Sequence, residues 1–331
     1  MSASLLQGGR RKRRARGWLA GLALVALAAL ATGTLLLATG GTASRDGLRP
    51  APAATAATPL NGPAAAGPRT SYASALAPPA QRVDPHFRRL PRAGLMWDLR
   101  SGRVLWRLRP EERVPIASLT KMMTALIAVR ALRPGERVPI TRAAVNRPGS
   151  KVGMLPLGHS ARAETLLYGL MLPSGNDAAI ALAQKVSGSV VRFVGRMNAQ
   201  AREMGLSCTR FTTPDGLADH GNRSCARDLA LLARAVLRDP RLSRIVATRR
   251  TSQPLPVKGG RVWLYNNNPL LRYGYPGALG VKTGYTDAAG RCLVAAARRG
   301  RLRLGVVLLH SIDPPTQAPK LLNGGFRALR G

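Results

Sequence analysis

The chain has 331 residues, enough for one large domain with appendages or two modest ones, and its 45% hydrophobic content supports a sizeable core. Its net charge of +36 comes almost entirely from arginine scattered along the whole length, which fits surface cations encoded by a GC-rich genome better than one basic face turned to a polyanion. Aromatic residues make up 4% of the chain, too few to stack on single-stranded bases, and the absence of a C-x-x-C pair argues against a zinc or thioredoxin-type centre.

In chain order, residues 1–17 are a basic N-terminus built around Arg10-Arg11-Lys12-Arg13-Arg14. Residues 18–40, from Trp18 to Gly40, carry no charge and are long enough to cross a bilayer as a helix. The cationic flank puts the N-terminus in the cytoplasm and the rest outside the cell membrane. We read this segment as an uncleaved anchor; secretion after cleavage near Gly41-Thr42-Ala43 is the alternative. Residues 41–85 are rich in Ala, Pro and Thr and read as an extended linker that buries too little surface to fold.

The folded domain is expected over residues 86–331. Ala93 to Asp98 and Val104 to Trp106 predict a hairpin turning at Ser101-Gly102. Ser118 to Leu132 has helical periodicity, with Met122, Leu126 and Val129 on one stripe and Pro134-Gly135 closing it. Further helices are predicted from Glu164 to Met171, Asp177 to Val186, Val190 to Met204 and Ala226 to Val236. Strands return from Leu293 to Ala297 and from Leu302 to Leu309. Strands at both ends with helices between them suit an α/β (α+β) sheet carrying an inserted helical region. Cys208 and Cys225 flank a short polar stretch; a hairpin or loop there would let them form a disulfide in an oxidising compartment, and two free thiols are the other reading. Cys292 reads as a small core residue of a strand.

Three short motifs carry chemistry. Ser118-Leu119-Thr120-Lys121 places a hydroxyl and an amine three residues apart, on one face at the start of a helix. A serine is a weak nucleophile until a base takes its proton, and a lysine whose neutral form is populated can do so. Ser174-Gly175-Asn176 offers a proton relay and an amide, although such a sequence also caps helices. Lys282-Thr283-Gly284 offers a cation and a hydroxyl for a carboxylate, with a glycine that permits close backbone approach.

Together, in this order, the three motifs are the signature of penicillin-binding proteins and class A β-lactamases. The stretches Ala117 to Ala125, Pro173 to Ala179 and Val281 to Gly290 make the chain resemble the low-molecular-mass D-Ala-D-Ala carboxypeptidases, with further similarity at Thr213-Pro214-Asp215-Gly216-Leu217 and from Leu321 to Phe326. The resemblance implies a serine β-lactamase/transpeptidase-like fold, an antiparallel sheet flanked by helices. It also implies a mechanism. Ser118 attacks the penultimate D-Ala of a peptidoglycan stem peptide, Lys121 accepts its proton, and Ser174 with Lys282 passes a proton to the departing D-Ala. Asn176 orients the acyl part, and Lys282, Thr283 and Gly284 receive the terminal carboxylate. The backbone N–H groups of Ser118 and Tyr285 form the oxyanion hole. β-Lactam antibiotics are expected to acylate the same serine. No metal and no cofactor are expected. Besides the membrane, anionic wall polymers are an expected partner and nucleic acid is not. The best-known members carry a further C-terminal β-rich domain and a terminal amphipathic helix; this sequence runs only to Gly331, so anchoring is expected from the N-terminal segment.

Two rival hydrolases fit less well. A class A β-lactamase needs a Glu-x-x-Leu-Asn loop, and the nearest stretch, Glu203-Met204-Gly205-Leu206-Ser207, lacks the asparagine. A Ser-His-Asp enzyme would draw on His86, His159, His220 or His310, but no Gly-x-Ser-x-Gly elbow presents a nucleophile.

Overall fold

A computed structural model describes residues 83–217 and 221–330. The expected basic N-terminus, the 18–40 anchor, most of the linker and His220 lie outside the described residues. Among the described residues no helix is long and apolar enough to cross a membrane.

β1 (Ala93–Asp98) and β2 (Val104–Leu108) form the expected hairpin. β3 (Val114–Pro115) leads into a 3-10 turn, Ala117–Thr120, and then α1 (Lys121–Ala131). β4 (Arg137–Pro139), a short α2 (Arg142–Val145) and β5 (Ser160–Arg162) precede the helices α3 (Ala163–Met171), α4 (Asn176–Ser187) and α5 (Val190–Glu203). β6 (Arg223–Ser224) is followed by α6 (Ala226–Arg238) and α7 (Pro240–Ala247). A hairpin of β7 (Arg250–Pro254) and β8 (Arg261–Tyr265) and a one-turn α8 (Pro269–Arg272) complete the inserted region. The chain returns through β9 (Ala278–Thr286), β10 (Gly290–Arg299) and β11 (Leu302–Ser311) to α9 (Pro314–Ala328).

The five long strands form one antiparallel sheet in the order β2-β1-β11-β10-β9. β1 and β2 therefore join the returning strands, as strands at both ends of the domain lead one to expect. Both faces are covered, which is why β10 and β11 read as near-continuous apolar runs. Leu304, Val306 and Leu308 face Leu321, Leu322 and Phe326 of α9, while Val307 and Leu309 face the helical block. β9 is left at the sheet edge, with one row of backbone groups unpaired by any strand.

α1 departs from the expected single stripe. Residues 121–128 are all buried, because α3, α4, α5, α6 and α7 all pack against this helix. A helix apolar on every side belongs in a core, and Lys121 is carried into that core with it. Several elements were not anticipated, among them the short strands β3 to β6, α2, α7, the β7–β8 hairpin, α8, the edge strand β9 and α9. α7 is only eight residues long, β7 is a polar strand paired with a five-residue β8 that buries only Leu264, and α9 has prolines at its start and at Pro319 that mask the helical pattern.

Cys208 and Cys225 are joined by a disulfide with Cα atoms 5.6 Å apart, and Cys292 is a buried free thiol in β10. The bridge closes a loop with a sequence separation of 17. Replacing both cysteines by alanine is expected to lower unfolding free energy by about 3 kcal/mol, read from urea unfolding curves, with a steeper slope as the unfolded chain expands.

Candidate active site

The turn before α1 presents Ser118 at the mouth of a cavity of about 380 Å³, lined also by Ser174, Thr283, Gly284 and Tyr285. All three sequence motifs thus meet in one place. The reason is topological: α1 and α4 pack on each other in the helical block, and edge strand β9 lies against the Ser118 turn. Two glycines allow that fit. A Cβ on Gly284 would lie 3.0 Å from the Ile116 carbonyl oxygen and 3.2 Å from the Ser118 backbone nitrogen. Gly216 has φ +78° and no room for a Cβ against the Ala117 carbonyl. Gly216→Ala is expected to destabilise the domain by about 2–3 kcal/mol and to slow acylation, because strain and overlap fall on the turn that holds the nucleophile. Thermal melts and penicillin-labelling rates check both.

Lys121 is the centre of the polar network. Its Nζ lies 2.8 Å from Ser118 Oγ, 2.7 Å from Asn176 Oδ1 and 2.6 Å from the Asp215 backbone oxygen. Burial lowers its pKa to about 7, with the charges of Asp215 and Asp177 opposing that fall and Arg147 adding to it. A neutral amine has two hydrogens and one lone pair. The Asn176 and Asp215 oxygens can only accept, so they take the two hydrogens, and the lone pair is left for the Ser118 hydroxyl.

Asn176 is at the start of α4, where its Nδ2 also donates to the Pro148 carbonyl at 2.7 Å. Its amide is thus engaged by the protein at both ends, and it does not line the cavity. Ser174 has φ +73°, an unusual backbone for serine, and its buried hydroxyl has no hydrogen-bond partner among the described residues. That leaves the hydroxyl free to bond a molecule in the cavity.

Lys282 is buried at β9, donates to the Thr283 carbonyl at 2.9 Å and does not line the cavity. Burial, then the charge of Lys121, lowers its pKa well below the usual lysine value. Thr283 and Tyr285 do line the cavity, and Arg291 of β10 stands directly across from Tyr285. Arg272 and Arg291 are the guanidinium groups along this wall. Neither was singled out in the sequence, where arginine is too frequent for one position to stand out.

The floor of the site was also missed. Arg147 holds the Asp215 carboxylate with two bonds, at 2.5 and 3.1 Å, and Thr124 donates to the Pro214 carbonyl at 2.6 Å. Burial works to raise the Asp215 pKa, but Arg147 and Lys121 outweigh it and hold the carboxyl below its ordinary value. The Asp177 carboxylate accepts from the Val152 and Ala178 N–H groups, fixing the loop before α4.

This arrangement of sheet, helical block and edge-strand cavity is the fold of the DD-peptidases. The chain matches the D-alanyl-D-alanine carboxypeptidase family, peptidase S11, over residues 91–312, and it belongs to that family. It is 34% identical over 234 residues to D-alanyl-D-alanine carboxypeptidase DacF of Bacillus subtilis, covering 68% of this chain and 59% of the relative. It is 38% identical over 237 residues to D-alanyl-D-alanine carboxypeptidase DacB2 of Mycobacterium tuberculosis, covering 69% and 80%. The crystal structure of a D-alanyl-D-alanine carboxypeptidase from Mycobacterium tuberculosis superposes with TM-score 0.69 at 35% identity, covering 76% of this chain and 96% of that one. The match to DacF spans well under two thirds of that relative's length.

Proposed function

We propose that this chain is a serine-type D-Ala-D-Ala carboxypeptidase that removes the terminal D-Ala from peptidoglycan stem pentapeptides through an acyl-enzyme on Ser118. The observation that carries the reading is Lys121 Nζ, 2.8 Å from Ser118 Oγ, with its two other partners able only to accept. Lys121 takes the hydroxyl proton as Oγ attacks the penultimate D-Ala carbonyl. Backbone N–H groups of Ser118 and Tyr285 receive the developing oxyanion, where preorganised donors act most strongly. Ser174 passes a proton to the departing amine. Asn176 holds Lys121 in place. Thr283, with the guanidinium groups of Arg272 and Arg291, receives the terminal carboxylate, and Lys282 holds the strand there through its bond to the Thr283 carbonyl. Water then hydrolyses the ester. A β-lactam undergoes the same attack but keeps its leaving group tethered, so the acyl-enzyme persists.

In the same reading residues 86–331 are the catalytic domain, held outside the cell membrane by residues 18–40 through the 41–85 linker, and anionic wall polymers draw on the excess of positive charge. The test is release of D-Ala from Nα,Nε-diacetyl-L-Lys-D-Ala-D-Ala. The full chain should release it and Ser118→Ala should not; release by the variant contradicts the assignment.

A further inference from the structure

We infer that the cavity next to the Ser118 site is a second anion subsite, which receives an additional carboxylate on the leaving-group side of the scissile bond. The enzyme would then cleave D-Ala from acidic leaving groups larger than D-Ala. The inference rests on the acyl-serine reading given above.

This second cavity, of about 560 Å³, is lined by Arg249, Arg250, Tyr265, Asn266, Asn267 and Arg272. Asn267 and Arg272 line the Ser118 cavity too, so the two spaces adjoin. Position along β9 gives the second cavity its side. With the scissile carbonyl at Tyr285 and the terminal carboxylate at Thr283, a leaving group runs down the strand toward Gly280. There β9 meets the end of α7: the Gly280 backbone packs on the Val246 carbonyl. Asn266, in the wall of the second cavity, donates to the carbonyls of Val246 and Thr248 at 3.1 and 3.0 Å. Arg249 and Arg250 follow immediately in the chain.

The chemistry of the wall fits an anion. Among the described residues no carboxylate comes within ion-pair distance of Arg249, Arg250 or Arg272. The Arg249 guanidinium donates to the Arg272 carbonyl at 3.1 Å, which holds it at the cavity, and Arg250 stands opposite Tyr265 in the β7–β8 hairpin. Three like charges around one concave space repel, and a carboxylate that accepts two parallel N–H bonds relieves them. Arginine is common on this surface, but these three are gathered in a hollow that shares Asn267 and Arg272 with the cavity of the nucleophile. Cleavage follows the same balance as with D-Ala. The ester bond to Ser118 Oγ forms, the C–N bond breaks, the departing amine leaves with its proton, and water restores the serine.

The test compares Nα,Nε-diacetyl-L-Lys-D-Ala-D-Ala with the same peptide ending in D-Glu, using the full chain and the double variant Arg249→Gln, Arg250→Gln. The variant should lose about tenfold in kcat/KM for the D-Glu peptide, mainly through KM. Its turnover of the D-Ala peptide and its acylation by penicillin should stay as in the parent. An unchanged D-Glu value, or an equal fall for both peptides, overturns the subsite alone. Failure of the parent chain to be acylated by penicillin removes the acyl-serine reading, and the subsite with it.

Discussion

Lys121→Ala is expected to slow acylation by penicillin by about 10³- to 10⁴-fold, the scale on which a positioned general base acts. The domain should remain folded, since removing a buried amine leaves only the Asn176 and Asp215 oxygens to be re-solvated. Lys121→Arg should fail as well, because a guanidinium keeps its proton and offers no lone pair. The parent enzyme supplies a second readout. With the Lys121 pKa lowered to about 7, the ammonium dominates below that pH and the neutral amine above it. Acylation should therefore rise with pH through about 7 and then level off. A profile flat from about pH 5 to 9 would remove Lys121 from the role of base.

The second large effect is expected at Asp215, which lies in the Thr213 to Leu217 stretch and outside the three catalytic motifs. Asp215→Asn keeps the shape and removes the charge that Arg147 grips from a partly exposed position. Breaking that pair should lower stability by about 2–3 kcal/mol, below the figure for a fully buried pair because water reaches the arginine. Its negative charge also raises the Lys121 pKa, so losing it should move the midpoint of the acylation profile to lower pH. The sign for stability follows from the same pair. The Asp215 pKa is depressed in the folded state, so its contribution is present above the ordinary carboxylate pKa and is lost only as pH falls through the lower folded value. The parent and the variant should thus differ at neutral pH and converge in acid, measured as urea midpoints across pH.

The parts of the site that were legible in the sequence are those whose chemistry is local. Ser118 and Lys121 are three apart on one turn, and Lys282-Thr283-Gly284 is a contiguous run, so residue type and spacing suffice. The hairpin of β1 and β2 and the helices α3, α4, α5 and α6 declare themselves by period. What stayed hidden depends on contacts far apart in the chain. Asn176 reaches Lys121 across 55 positions, and Arg147 reaches Asp215 across 68. Nothing in their neighbourhoods announces those partners. Lys282 is the converse case. Its motif suggests a cation facing a substrate; residue type alone does not tell that the side chain is buried and close enough to feel the charge of Lys121, while Thr283 and Tyr285 line the cavity. The charge along that wall comes from Arg272 and Arg291, which packing selects from a chain full of arginines.

The most direct test of the account is intact and peptide mass spectrometry after incubation with benzylpenicillin. The account predicts one adduct per chain, located on the peptide that holds Ser118 and absent from Ser118→Ala. A folded parent chain that gains no mass, or a variant that still gains it, would contradict the assignment of Ser118 as the nucleophile.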